Sequence, residues 1–350
     1  MQHTLDIAGR KVGAGHPCFI IAEAGVNHNG DLALAKRLVD AALDAGADAV
    51  KFQMWVTEKL VVPDAGMAEY QKQNLGTDDS QFRMLKELEL SYDQFRAIKA
   101  HADRQGILFL STPDEEDSAD FLEALGVPAF KIGSGEVTTL PYLRHVALKG
   151  RPIILSTGMS TLAEVEAAVR AIEGAGNRQL ALLHCVSAYP ADAADCNLRA
   201  MDTLAAAFGY PVGFSDHTLG IEIPVAAVAR GACIIEKHLT LEKALRGPDH
   251  SASMATDEFA ALVRAIRTVE TALGDGTKRP APVEIETKRV VQKAIVARRS
   301  IRTGERVTAA DVVLRRASGG LGAACLPLVL DRVARCDIEA NRPITLEMLQ

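Results

Sequence analysis

Several features that would place this 350-residue sequence at once are missing from it. Its six cysteines, Cys18, Cys185, Cys196, Cys233, Cys325 and Cys336, never fall at CxxC spacing. A chain of this length needs no staples, so reduced thiols packed as small core residues are expected, not disulfides or a zinc cluster. No apolar run is long enough to cross a bilayer, and residues 1–17 lack the basic start, apolar stretch and small-residue cleavage site of a leader. A cytoplasmic location without a membrane partner is the expectation. Basic excess is missing too: 39 Lys and Arg stand against 45 Asp and Glu, a net charge of -6. That balance argues against nucleic acid as a partner and leaves any anion to be bound locally. No G-x-G-x-x-G opens the first crossover and no G-x-S-x-G elbow occurs, which disfavours a dinucleotide fold and a serine hydrolase.

What is present is a 48% hydrophobic composition, enough for one large domain and a small one. Short apolar runs alternate with helix-period stretches. Strands are expected at residues 18–22, 49–52, 107–111, 129–132, 153–156, 180–185, 212–215 and 234–237. Helices are expected at 32–45, 82–88, 92–105, 116–125, 142–149, 162–174 and 257–273. About eight strand-then-helix units result, the number that closes a (β/α)8 TIM barrel; an open doubly wound sheet is the alternative. The polar insertion at residues 54–81, with Asp64, Gly66, Tyr70 and Gly76, is longer than a simple connection and is a candidate lid. A Gly-, Pro- and charge-rich break begins at Gly274. The expected division is a barrel over 1–275, a linker over 276–289 and a small turn-rich unit over 290–350.

The chemistry is concentrated in residues 130–159. Two β-branched apolar runs there stop on Lys131, Ser134, Glu136, Ser156 and Thr157 among glycines, where backbone N–H groups can approach an anion. Elsewhere Glu23, Lys51, Gln53, Thr112, His184, Ser215, His217 and His238 end other strands, and convergence of strand ends on one mouth is how a barrel builds an active site. Lysines ending apolar strands need an anion, so Lys51 and Lys131 are phosphate ligands, a Schiff-base nucleophile, or partners of Glu23 or Glu136 in buried ion pairs. His217 and His238 end adjacent strands and suit a divalent ion such as Mn²⁺, or are each structural. His184 is read as a core histidine in preference to a third ligand. Asp249, in the turn Gly247-Pro248-Asp249-His250, either accepts from substrate hydroxyls or caps the turn.

In order along the chain stand Ile20-Ile21-Ala22-Glu23-Ala24-Gly25-Val26-Asn27-His28-Asn29-Gly30, Lys51-Phe52-Gln53, Lys131-Ile132-Gly133-Ser134-Gly135-Glu136, Leu155-Ser156-Thr157-Gly158-Met159, Ser215-Asp216-His217-Thr218, Glu236-Lys237-His238 and Gly247-Pro248-Asp249. The sequence carrying them resembles the sialic acid synthase family, including the legionaminic acid synthases, with a tail similar to the family's antifreeze-like (SAF) domain. The resemblance implies a metal-dependent condensation of phosphoenolpyruvate with N-acetylmannosamine, giving N-acetylneuraminic acid and phosphate. A legionaminic acid synthase acting on 2,4-diacetamido-2,4,6-trideoxymannose is the alternative, and a Schiff-base aldolase using Lys131 or Lys237 a remoter one. It further implies that Lys51, Thr112, Lys131, Ser134, Glu136, Ser156 and Ser215 hold phosphoenolpyruvate. His217 and His238 would bind Mn²⁺ or Mg²⁺, with Glu23 or Glu136 as acid/base. Glu23, Gln53, Tyr189 and Asp249 would contact the sugar, joined by Arg316 from the partner subunit of a domain-swapped homodimer. Lys51-Phe52-Gln53 and Asp249-His250-Ser251-Ala252-Ser253 look closer to legionaminic acid synthases and animal sialic acid synthases than to the usual bacterial N-acetylneuraminate enzyme.

Overall fold

The computed structural model describes residues 3–76 and 79–350. Met1 and Gln2, in the stretch read for a leader, and Thr77 and Asp78, in the expected lid, lie outside the described residues. Two compact units result, Met1–Gly274 and Asp275–Gln350. The first is a closed parallel barrel of eight strands: β1 (Phe19–Gly25), β2 (Ala49–Met54), β3 (Leu108–Pro113), β4 (Phe130–Ile132), β5 (Ile153–Ser156), β6 (Leu180–Cys185), β7 (Val212–Asp216) and β8 (Ile234–Thr240). Each pairs with the next, and β8 pairs back onto β1 in the register Ile234↔Phe19 to His238↔Glu23. Closure removes both sheet edges.

Strand periodicity decides what each residue does. Successive side chains point to opposite faces. Phe19, Ile21, Ala49, Leu110, Ala129, Ile154, Ala181, Leu183 and Ile234 form one inner cluster, while their neighbours Ile20, Val50, Phe109, Phe130, Ile153, Leu180, Leu182 and Ile235 join the layer beneath the helices. One step further along the inward face come Glu23, Lys51, Thr112, Lys131, Ser156, Ser215 and Glu236. The barrel therefore holds an apolar floor with a charged layer above it. Gly213 is part of that floor, and a Cβ there would meet the Ile234 Cβ and a Leu183 methyl at 2.7 Å. A hairpin absent from the sequence expectations, Leu5–Ile7 against Arg10–Val12, brings Leu5, Ile7 and Val12 onto the same cluster and plugs its end. Three-residue strands carry too little alternation to register as a pattern.

The helices follow where the 3.6-residue period predicts them, fixed by local signals. Asp31 accepts from the N–H groups of Ala33 and Leu34 to start Leu32–Asp44. Ser91 and Gln94 form a reciprocal capping box for Tyr92–Gln105, which ends on Gly106 at φ 81°. The expected lid is not irregular throughout. It contains two short helices, Thr57–Leu60 and Glu69–Leu75, over a separate small core of Val26, Trp55, Met67, Met84 and Leu88.

In the second unit, Lys293–Ala297 pairs antiparallel with Val312–Arg316 around a core that includes Ile295, Val307, Ile338, Ile344 and Leu349. The segment expected as a linker carries a helix, Glu284–Val291, with no buried residue. No helix among the described residues is long and apolar enough to cross a membrane.

Candidate active site

At the carboxyl ends of the strands a cavity of about 370 Å³ opens, lined by residues from all eight strand ends and their loops. Glu23, Lys51, Gln53, Thr112, Lys131, Ser134, Ser156, Tyr189, Ser215, His217 and His238 all line it, as the sequence reading grouped them. Three others do not. Glu136 sits on the single turn Ser134–Glu136, half-buried and off the cavity wall. Asp249 stands beside His238, its Oδ2 3.7 Å from Nδ1, without lining the cavity. Arg316 is exposed at the end of its strand in the second unit.

The deepest layer is a charge lattice. Lys51 pairs with Glu23, lies 3.8 Å from Glu236 Oε2 and donates to Thr112 Oγ1 at 2.9 Å. Lys131 lies 3.3 Å from Glu236 Oε1, which also accepts from Ser215 Oγ at 2.9 Å. All four charged groups are at most 4% exposed. The ion-pair alternative for Lys51 is thus present with Glu23, but the partner of Lys131 is Glu236, not Glu136. Glu236, within Glu236-Lys237-His238, is a site residue not among those expected from the sequence. Its signal was position: it is two residues before His238 and therefore on the same inward face.

Burial works to raise the Glu236 carboxyl, but Lys131 and Lys51 outweigh it and bring it to about 2. Glu23 goes the other way: burial pushes it up to about 7, only partly offset by Lys51. Asp114, another lining residue that the sequence reading passed over, is likewise raised to about 7 by burial. Two buried carboxylates near two ammonium groups thus differ by proton affinity, the condition for one to move protons while the other holds charge.

Several buried polar atoms here have no hydrogen-bonding partner among the described residues: Glu23 Oε1, Glu236 Oε2, Ser156 Oγ and His238 Nδ1. Native interiors rarely leave such atoms unpaired, so a cavity rimmed by them is built for a polar ligand. Gly158 keeps the wall open, since a Cβ there would meet Ser187 Oγ at 2.5 Å and Ser134 Oγ at 2.9 Å.

His217 and His238 are brought together with ring centroids 5.4 Å apart. His217 Nδ1 bonds the Val186 carbonyl at 2.7 Å, which fixes the ring and leaves Nε2 unbonded among the described residues. Burial holds His238 well below the usual imidazole value. At His217 burial also lowers the value, but the Cys185 thiol, 3.8 Å from Nδ1, outweighs it and the net shift is upward. The donor set fits a divalent ion held by two imidazoles with further positions left for water or substrate; among the described residues no cluster of three His, Cys, Asp or Glu gathers to hold one.

Alternation also explains two residues that point elsewhere. His184 faces outward from β6 and bonds the Cys196 carbonyl at 2.7 Å, a structural histidine as the sequence reading favoured. Lys237, between Glu236 and His238, is directed out of the barrel, where its Nζ meets Asp216 Oδ2 at 2.5 Å and the Thr218 carbonyl at 2.6 Å. A lysine so occupied is no Schiff-base nucleophile for this cavity.

The chain matches the NeuB family over residues 38–278 and a SAF domain over residues 292–350. It is 50% identical to the N,N'-diacetyllegionaminic acid synthase of Legionella pneumophila, over 88% of each chain. It is 41% identical to the human N-acetylneuraminate-9-phosphate synthase, over 86% of this chain and 83% of that one. Among solved structures, the N-acetylneuraminic acid (sialic acid) synthetase of Leptospira borgpetersenii in complex with citrate superposes with a TM-score of 0.72 at 36% identity, covering 83% of this chain and 98% of that one. The closed eight-stranded barrel with its charged mouth, followed by the SAF domain, belongs to the NeuB family of sialic and legionaminic acid synthases.

Proposed function

We propose that this enzyme condenses phosphoenolpyruvate with an open-chain 2-acetamido sugar of the mannose configuration, releasing phosphate and a nine-carbon 2-keto acid. The observation that carries it is the coincidence, in one cavity, of two buried amines, partnerless hydroxyl and carboxylate oxygens, and two adjacent imidazoles. Lys51 and Lys131 bind phosphate and carboxylate oxygens, with the hydroxyls of Thr112, Ser134, Ser156 and Ser215 completing the cradle. Gln53 and Tyr189 orient the sugar, and Asp249, which does not line the cavity, is left out of this scheme. His217 and His238 would hold Mn²⁺ or Mg²⁺, which when bound would supply Lewis-acid polarisation of a carbonyl. C3 of phosphoenolpyruvate bonds to the aldehyde carbon, water adds at the electron-deficient C2, and phosphate leaves from the tetrahedral adduct. Glu23 takes the proton from the adding water and returns one to the former aldehyde oxygen. Glu136, off the cavity wall, has no part in this scheme.

Of the two acceptors implied by the resemblance, N-acetylmannosamine is the first expectation. The 50% identity to a legionaminic acid synthase, against 41% to a human N-acetylneuraminate-9-phosphate synthase, favours 2,4-diacetamido-2,4,6-trideoxymannose. Phosphate release from phosphoenolpyruvate should therefore be fastest with the diacetamido sugar, slower with N-acetylmannosamine, absent without an aldehyde, and lost on EDTA treatment with recovery by Mn²⁺. Turnover that survives chelation, with a borohydride-trapped Lys131 adduct, would replace this scheme by the Schiff-base one.

A homodimer in which Arg316 reaches the partner's sugar belongs to the same proposal. Its support is the exposure of Arg316 and of Ile285, Val290 and Val291 on a helix that buries nothing. Light scattering should give twice the 37.4 kDa chain mass. A monomer that turns over at full rate would remove Arg316 from the site.

A further inference from the structure

The cavity is not walled by the barrel alone. The lid helix Glu69–Leu75 and the residue before it contribute Tyr70 and Ala68 to its lining. Tyr70 stacks on Tyr189 with centroids 4.8 Å apart and planes at 27°, and Tyr189 lies 4.1 Å from the His217 ring. His217 is in turn 5.4 Å from His238. Tyr189 also lies 5.7 Å from the His238 ring, so it packs against both imidazoles and Tyr70 stacks on it from the lid. The amines of Lys51 and Lys131 belong to the lattice built on Glu236, two residues before His238 on the same strand.

The lid is tied to the loop that carries Asp249. Asn74 Nδ2 donates to the Pro248 carbonyl at 2.6 Å, and Asp249 is the charged group that acts on the Tyr70 hydroxyl after burial itself, both raising its value. Gln71 holds the start of the helix, its Oε1 accepting from the Ala68 N–H at 2.9 Å while its Nε2 donates to the Tyr70 hydroxyl at 3.4 Å. Tyr70 is therefore fixed by neighbours on both sides, not free on a loose loop.

We infer that Tyr70 is a specificity-determining residue for the acceptor, an aromatic wall against the end of the sugar remote from its aldehyde. The inference rests on the proposed condensation. The aldehyde carbon has to lie near the imidazole pair, so the ring one step beyond Tyr189 faces the far carbons. A ring face favours C–H-rich surface, so a methyl or acetamido methyl there is bound better than a hydrated hydroxymethyl. Tyr70 selects deoxygenated, acetylated acceptors, and has no contact with phosphoenolpyruvate.

The test is steady-state kinetics of the full chain with both sugars and Mn²⁺. Tyr70→Ala and Tyr70→Leu should raise the KM for the diacetamido trideoxy sugar about tenfold, the scale of a lost aromatic contact with its buried area. The KM for phosphoenolpyruvate should stay within about twofold, and Tyr70→Phe should restore the sugar KM. Preference for the trideoxy sugar over N-acetylmannosamine should shrink in the Ala and Leu variants. Trp55, the one tryptophan of the chain, is buried in the small core under the lid, so its emission reports whether the lid is intact. Should Tyr70→Ala disturb it, Tyr70→Leu, which keeps an apolar side chain, decides. An unchanged sugar KM in Tyr70→Leu, or equal rises in both KM values, overturns the inference. A wild-type enzyme that releases no phosphate with either sugar overturns the functional reading instead.

Discussion

Glu23→Gln is expected to lower kcat by a factor of about 10²–10⁴, the range for loss of a positioned proton-transfer group, while the KM for phosphoenolpyruvate changes little. The amide keeps the shape and the buried position, 1% exposed against Lys51, so packing alone does not explain such a loss. What it removes is exchange of a proton. Burial raises the Glu23 carboxyl to about 7, and Lys51 offsets only part of that, so the group changes charge near neutrality. The scheme needs it ionised when water adds, so kcat/KM should fall as pH drops below about 7. The Gln variant should be slow and flat across the same window. A Gln variant that keeps wild-type kcat, or keeps the same acidic limb, would move the proton-transfer role to another group. Asp114 is then the next candidate, since burial brings it to about 7 and it lines the same cavity.

Much of this arrangement was legible because strands alternate. Lys51 after Ala49-Val50, Lys131 after Phe130 and the spacing of Ser215 and His217 each fix an inward polar residue above an inward apolar one. The eight-unit count gives the barrel, and Gly158 marks where the wall has to be thin. What was not legible is of two kinds. The hairpin at Leu5–Ile7 and Arg10–Val12 forms because the barrel floor offers it an apolar surface, a tertiary cause with no local pattern. The pairing of Lys131 with Glu236 is a choice among carboxylates that only closure of β8 beside β7 and β1 settles. Glu136 stands among glycines at a strand end, as a site residue does, yet the turn Ser134–Glu136 carries it off the cavity wall. The lid was legible as an insertion but not as helix, since seven residues give barely two turns of period.

Lys131→Met separates what holds the mouth together from what binds substrate. Lys131 is 4% exposed, and Glu236 stays ionised despite burial chiefly because Lys131 and then Lys51 stabilise it. Removing the amine leaves a buried carboxylate with Lys51 at 3.8 Å and the Ser215 hydroxyl as its remaining support. Breaking one side of a buried pair costs about 3–5 kcal/mol, which in a barrel of this size lowers Tm by roughly 10 °C. Loss of a charge-assisted contact to phosphate or carboxylate should raise the phosphoenolpyruvate KM about 10–100-fold. The double variant Lys131→Met/Glu236→Gln removes both charges at once, and replacing a whole buried pair is often near neutral for stability. It should therefore recover most of the lost Tm and none of the lost affinity. If the double variant regains phosphoenolpyruvate binding, Lys131 acts only by neutralising Glu236 and is no ligand. If neither variant alters KM, the amine faces no substrate, and the cationic pole of the cavity has to be assigned to Lys51 alone.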